Sequence, residues 1–146
     1  METNDFIISG MQLKRLIEKK LEPVMEEYNL RLVELDILVL LHREKEIDTA
    51  KKIVQKKHFS KAHISKSIDH LCAGGFIELC EDDADHRILH ISLTDRSREV
   101  VEKMIRIYRE CKEIMQQGIS KEEIEILKRT VEKMNANISR ELGENA

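Results

Sequence analysis

Tryptophan is absent, and aromatic residues make up only 3% of the 146-residue chain. Binders of single-stranded nucleic acid stack bases on aromatic side chains, so that class is disfavoured. One proline and five glycines leave little room for a turn-rich all-β fold or a disordered linker. No apolar run approaches the roughly 18 residues of a membrane span. The opening METNDFIISG lacks a basic segment followed by an apolar one, so no signal peptide and no membrane association are expected. Three cysteines, at 72, 80 and 111, form no C-x-x-C pair, and reduced thiols in a cytoplasmic protein are expected. G-x-S-x-G, P-loop and H-E-x-x-H patterns are missing. No nucleophile and base stand together, so neither an enzyme nor a cofactor is expected.

What is present is charge and helical periodicity. Charged residues make up 36% and apolar residues 41%, against about 25% charge in an ordinary globule. That balance suits long, solvated helices in one domain spanning 1–146. The net charge of −3 is unevenly spread. Between Thr49 and His70 lie six lysines (51, 52, 56, 57, 61 and 66) and one acid, Asp69. Six minus one makes this stretch +5, which leaves −8 for the rest, and His58, His63 and His70 fall inside it. A basic block in an acidic chain is the footprint of a phosphate-backbone contact, although a solvated helix face is the plainer alternative.

The apolar spacing places the elements. Met11, Leu13, Leu16, Ile17, Leu21, Val24, Met25 and Tyr28 mark one helical face over 9–28, with a kink or break expected near Pro23. Residues 33–44 are apolar almost all round and read as a central buried helix. Asp48 is expected to cap a short helix, 49–56, with Ala50, Ile53 and Val54 inward. A tight break at 56–59 follows. Ser60 caps a helix over 61–72 whose inward residues are Ile64, Ile68, Leu71 and Cys72, and Gly74-Gly75 ends it. The period then changes to that of strands at 76–80 and 88–93, joined by the acidic turn 81–87. Thr94 is placed to cap a helix running to about Gln117. Ser120 and Glu123 form a capping box for a last helix carrying Ile124, Leu127, Val131, Met134, Ile138 and Leu142.

A helix pair followed by a β hairpin is a helix-turn-helix with a wing, whose second helix enters the major groove. Its outward residues are Lys61, Ala62, His63, Ser65, Lys66, Asp69 and His70. The small Ala62 and Ser65 allow close approach. Lys66 suits guanine O6 or N7, and His63 can donate or accept at a base edge. Lys51, Lys52 and Lys61 suit phosphates, as do the exposed amides at the Ser60 cap. Thr49 and His70 complete the expected DNA-facing set on the helices.

Ser60-Lys61-Ala62-His63-Ile64-Ser65-Lys66, Gly74-Gly75-Phe76-Ile77-Glu78, and Asp85-His86-Arg87 with Ile91-Ser92-Leu93-Thr94 behind it together resemble the MarR family of winged-helix regulators. The most specific part is the D-x-R wing followed by a strand ending in L-T and a long helix. The resemblance implies a mainly α fold with a small β wing. Residues 30–94 would be the DNA-binding part, and helices at 5–28 and 95–146 would form the platform of a homodimer. It further implies that Arg87 enters a minor groove, with His86 beside it, and that Asp85 orients the arginine. The expected partner is double-stranded DNA with an imperfectly palindromic operator, because paired recognition helices meet successive major-groove faces about 34 Å apart. The expected function is ligand-responsive repression by a small-molecule effector, its default pocket the cleft between the dimer platform and the wing domain. The chain departs from the family in its acidic wing and in Ser67, where an apolar residue is common.

Plainer readings stand beside these. Arg87 can form an ordinary salt bridge to Asp83 or Asp85. His63, His70 and Cys72 match no common zinc spacing. Met11, Met25, Met104, Met115 and Met134 read as dimer core before ligand pocket. His42 suits a helix C-terminus. The cysteines can serve as a thiol-based redox sensor, or Cys72 and Cys111 can pack as small hydrophobes. The acidic wing can instead make the domain a protein–protein interaction module.

Overall fold

A computed structural model describes residues 3–57 and 59–143. The elements run α1 (Thr3–Tyr28), α2 (Leu32–Arg43), α3 (Ala50–Lys57), α4 (Lys61–Ala73), β1 (Ile77–Glu81), β2 (Leu89–Leu93), α5 (Asp95–Gln116) and α6 (Lys121–Glu141). Two compact units meet between Arg109 and Glu110.

In the first unit, α2 is the central helix. Leu35 and the run Ile37 to Leu41 are buried, because a helix apolar on every side can satisfy itself only by being surrounded. Around it gather Leu21 and Val24 of α1, Ile53 of α3, Ile64, Ile68 and Leu71 of α4, Phe76 and Ile77, Ile91 of β2, and Val100, Val101 and Met104 of α5. Met104 therefore belongs to the chain's own core, not to a dimer core, while Met11 is exposed. Pro23 lies inside α1 without interrupting the helix, so no break is found there.

Helix ends are set by short-range chemistry. Asn29 adopts φ +52°, and Leu30 N donates to Met25 O at 3.0 Å, closing α1. At the end of α4, Gly75 takes φ +75°. Phe76 N donates to Leu71 O at 2.9 Å and Gly75 N to Cys72 O at 3.0 Å, which is the Schellman pattern that glycine favours. Phe76 and Leu71 then both enter the core. The preceding Gly74 leaves no room for a side chain: a Cβ there would lie 2.8 Å from the Phe76 ring.

The two strands pair antiparallel, with Ile77 opposite Leu93, Leu79 opposite Ile91 and Glu81 opposite Leu89. Ile91 N also donates to Asp48 O at 2.6 Å, so the segment before α3 lies along the free edge of β2. Thr94 does not use its hydroxyl to cap α5. That group donates to Gly75 O at 2.6 Å and ties the strand exit to the end of α4.

The second unit holds the end of α5, a turn with Gly118 at φ +77°, and α6. Ser120 accepts from Glu123 N at 3.2 Å while the Glu123 carboxylate accepts from Ser120 N at 2.8 Å, completing the expected box. No residue of α6 is buried. Its apolar stripe, Leu127, Val131, Met134, Ile138 and Leu142, is 37–65% exposed.

Candidate nucleic-acid interface

The face of α4 follows from what its other face must bury. Ile64, Ser67, Ile68 and Leu71 point inward; Lys61, Ala62, His63, Ser65, Lys66, Asp69 and His70 are all exposed. Two expectations are corrected here. Cys72 is exposed, and Ser67, not Cys72, fills the inner face. At 3.6 residues per turn, positions 67 and 72 flank the 64-68-71 stripe on opposite sides at similar angles, and the side that is buried is that of Ser67, next to Arg31. The Ser67 hydroxyl is fully buried and stands 3.4 Å from an Arg31 guanidinium nitrogen.

That contact belongs to a network the sequence reading missed. Glu34, in the first turn of α2, is fully buried. Its carboxylate accepts from Arg31 N at 2.8 Å, from Arg31 Nε at 3.0 Å and from a second guanidinium nitrogen, and His70 Nδ1 of α4 lies 2.9 Å away. Burial pushes the carboxyl group's pKa up, but the Arg31 and His70 donors outweigh it and hold it below the ordinary value. His70 thus braces α4 against α2 while its ring stays partly exposed.

Ser60 caps α4, its hydroxyl accepting from His63 N at 3.2 Å. His63 is exposed and its ring centroid lies 5.9 Å from that of Phe59, which limits where the imidazole can point. The start of α3 differs from expectation. Thr49, not Asp48, caps it, accepting from Lys52 N at 3.3 Å, so the helix begins at Ala50, and Ala50 is exposed, not inward. Lys51 and Lys56 are exposed; Lys56 reaches Glu44 at 3.2 Å. Lys52 Nζ is held by Asp48 at 2.7 Å and by Glu46 O at 2.8 Å. The expected break at 56–59 begins after Lys57, and His58 lies outside the described residues.

The wing turn is built on its own carboxylates. Asp82 Oδ1 accepts from Ala84 N and Asp85 N, both at 2.9 Å. Asp85 in turn accepts from Arg87 N at 3.1 Å, from Nε at 3.0 Å and from a terminal guanidinium nitrogen at 3.1 Å. The arginine holds the Asp85 carboxyl group's pKa below its ordinary value. Arg87 is thereby pinned at its base, yet its side chain is 90% exposed, with guanidinium donors left for another acceptor. Asp85 is its partner, and Asp83 is not. His86 pairs with Glu81 at 3.0 Å. Wing and helices face one another across an open cavity of about 710 Å³ whose lining includes Lys51, Lys52, Lys61, Arg87 and His90.

Among the described residues no group of three or more His, Cys, Asp or Glu side chains could hold a metal, and no helix is long and apolar enough to cross a membrane. Comparison with curated protein sequences finds no match. Solved structures share the fold across nearly the whole chain. A MarR protein from Peptoclostridium difficile is 21% identical, covering 97% of this chain and 91% of its own, with TM-score 0.78. A MarR-family regulator from Listeria monocytogenes solved with a 26mer DNA is 16% identical, covering 100% and 98%, with TM-score 0.75. A MepR–DNA complex from S. aureus is 20% identical, covering 94% and 99%, with TM-score 0.73. The family described as Transcriptional regulator SarA/Rot matches residues 13–104, which hold the core, both helices of the pair and the whole wing. This winged-helix chain, built like the MarR regulators, belongs to the SarA/Rot family of transcriptional regulators.

Proposed function

We propose that the chain is a cytoplasmic repressor that binds double-stranded DNA as a homodimer, α4 entering the major groove and Arg87 the adjacent minor groove. The observation that carries this reading is one cationic surface built from two elements. Lys51, Lys52 and Lys61 of the helix pair line one open cavity with Arg87 of the wing, and that arginine, paired with Asp85 through Nε and one terminal nitrogen, is 90% exposed and keeps further donors. Ala62 and Ser65 are small enough to admit bases, and Lys51 and the Ser60 cap suit phosphates, joined by Thr49 and by Lys52 where it exchanges Asp48 for a phosphate. Two structural relatives were solved with DNA, which supports the same use here.

The homodimer is supported by α6. A helix with leucine, valine, methionine and isoleucine at intervals of three and four, none of them buried, carries the seam of a helical interface. Two-fold pairing calls for an imperfect palindrome with half-sites about one turn apart. A small-molecule effector would act by binding one arrangement of the pair more tightly than the other. A cavity of about 390 Å³ lined by His42, Lys45, Asp48, Arg98 and Glu102 has the polarity for a small charged ligand.

Two alternatives keep an observable. A protein-docking wing would need free carboxylates, but Asp82, Asp85 and Glu81 are already engaged within the wing. A thiol sensor would use the exposed Cys72 and Cys80. The deciding experiment is a gel shift on the chain's own promoter. Lys66→Ala and Arg87→Ala should each weaken the shift and leave the dimer intact. Unchanged affinity in both variants would refute the docking proposed here.

A further inference from the structure

His90 is the most heavily committed histidine of the wing. It projects from β2, with Nδ1 at 2.7 Å from Asp48 before α3 and Nε2 at 2.8 Å from Asp82 in the wing turn. Ionised carboxylates only accept, and a neutral imidazole has one N–H to give. Both contacts can be hydrogen bonds only when the ring carries two protons. The surroundings favour that form: Asp82 first and Asp48 second raise the imidazole's pKa above its ordinary value. The other charged groups facing it are Lys52 of α3, which shares Asp48, and Lys51, Lys61 and Arg87, which line the same cavity. Its cross-strand neighbour on β1 is Cys80.

The connections run in both directions from the ring. On one side, Asp82 holds Ala84 N and Asp85 N, and Asp85 holds Arg87. On the other, Asp48 holds Lys52 and, through its backbone, Ile91. The path from the start of α3 to the wing arginine thus passes through one imidazole. Removing its proton would leave one carboxylate facing a ring nitrogen lone pair, with Asp48 keeping Lys52 and Asp82 keeping only the Ala84 and Asp85 amides.

We propose that His90, as an imidazolium clamped between Asp48 and Asp82, is a positioning residue that sets Arg87 relative to the helix pair, so that duplex affinity falls as the ring loses its proton. This rests on the DNA-binding reading above. The pairing itself is independent of that reading.

The test uses the full-length chain and a duplex selected by it from a random pool at about pH 6.5, the ordinary histidine value. Affinity is measured by fluorescence anisotropy there and at about pH 8.5. All other groups are common to the chain and its variants, so the quantity compared is the ratio of the two dissociation constants. The wild-type ratio should exceed that of His90→Gln by about tenfold, the effect of one hydrogen bond to a charged group. Asp82→Asn should shrink the ratio likewise, whereas Lys66→Ala should weaken binding at both pH values and keep the wild-type ratio. Circular dichroism checks that each variant is folded. In parallel, the His90 ring resonance, assigned by its loss in the variant, should titrate above the ordinary histidine value. A His90→Gln variant that keeps the wild-type ratio overturns the wing role alone. A His90 resonance that titrates at or below the ordinary value overturns the clamp. A wild-type chain that retains no duplex overturns the DNA-binding reading and the wing role with it, while the resonance still reports the clamp.

Discussion

Replacing Arg31 by methionine isolates the network beneath α4. Methionine keeps an unbranched stem and removes only the guanidinium. Glu34, 0% exposed, would keep Arg31 N and His70 as donors and lose the two side-chain donors that carry a permanent charge. Stripping one partner from a buried pair typically costs about 3–5 kcal/mol. Two features lower that figure: the arginine side chain is 46% exposed, and two donors remain. A loss of about 2–3 kcal/mol is expected, since each hydrogen bond to a charged group contributes about 1.5–3 kcal/mol. At this chain length that lowers the melting midpoint by about 4–12 °C. Urea denaturation read by circular dichroism would measure it. Removing both ends should hurt less than the sum of single losses, so Arg31→Met with Glu34→Leu should recover part of the deficit. An Arg31→Met chain within about 0.5 kcal/mol of wild type, the range of an ordinary surface change, would refute the assignment of a buried, charge-paired Glu34.

Other expectations follow from single contacts. Gly74→Ala should cost more than Gly75→Ala: the first presses a Cβ to 2.8 Å from the Phe76 ring, while the second meets open space at φ +75° and pays only the left-handed penalty of about 1–2 kcal/mol. Thermal melts of the pair would rank them. Val131→Asp on the exposed α6 stripe should convert a dimer to a monomer by sedimentation and leave the far-ultraviolet spectrum unchanged. Asp85→Asn should weaken duplex binding without changing stability by more than about 0.5 kcal/mol, because it loosens an exposed arginine. As for pH, Glu34, Asp48 and Asp82 all titrate below their ordinary values. Their stabilisation is present above those ordinary values and is lost as pH falls through the folded ones. His90 is raised, so its share is present below its ordinary value and lost as pH rises through the folded one. Melting midpoints should therefore fall at both ends, and His90→Gln should flatten the alkaline limb and also soften the acid one, because His90 is the first cause of the lowered Asp82 value and contributes to that of Asp48.

What could be read from the sequence was what depends on near neighbours. The Ser60 cap, the Gly74-Gly75 stop and the Ser120–Glu123 box each act within four residues, and each stands where its residue types put it. The inner face of α4 was legible at 64, 68 and 71, because a branched or long apolar chain every three or four residues marks a buried stripe. It failed at its edge: positions 67 and 72 flank the stripe at similar angles, and the apolar character of Cys72 pointed to the side that is exposed. Asp48 and Thr49 are equally good caps, and nothing local separates them. The choice is made by His90, 42 residues further on, which claims the aspartate and leaves the threonine to the helix. Arg31, Glu34 and His70 read singly as surface charges. Only the packing of α2 on α4 turns them into one buried network. The wing repeats the lesson. Its acidity stood out as a departure from the family and as a feature suited to protein docking, but Asp82 and Asp85 are spent on ordering the turn and holding Arg87.

The central claim is that lysines of α4 and an arginine of the wing meet duplex phosphates and grooves together. The most direct measurement is the affinity of the chain for a selected duplex as salt is raised. The logarithm of the association constant should fall linearly with that of the salt concentration, losing close to one unit of slope for each phosphate neutralised. A slope of several units is predicted, made shallower in Arg87→Ala and in Lys61→Ala. A flat dependence in the wild-type chain would contradict it.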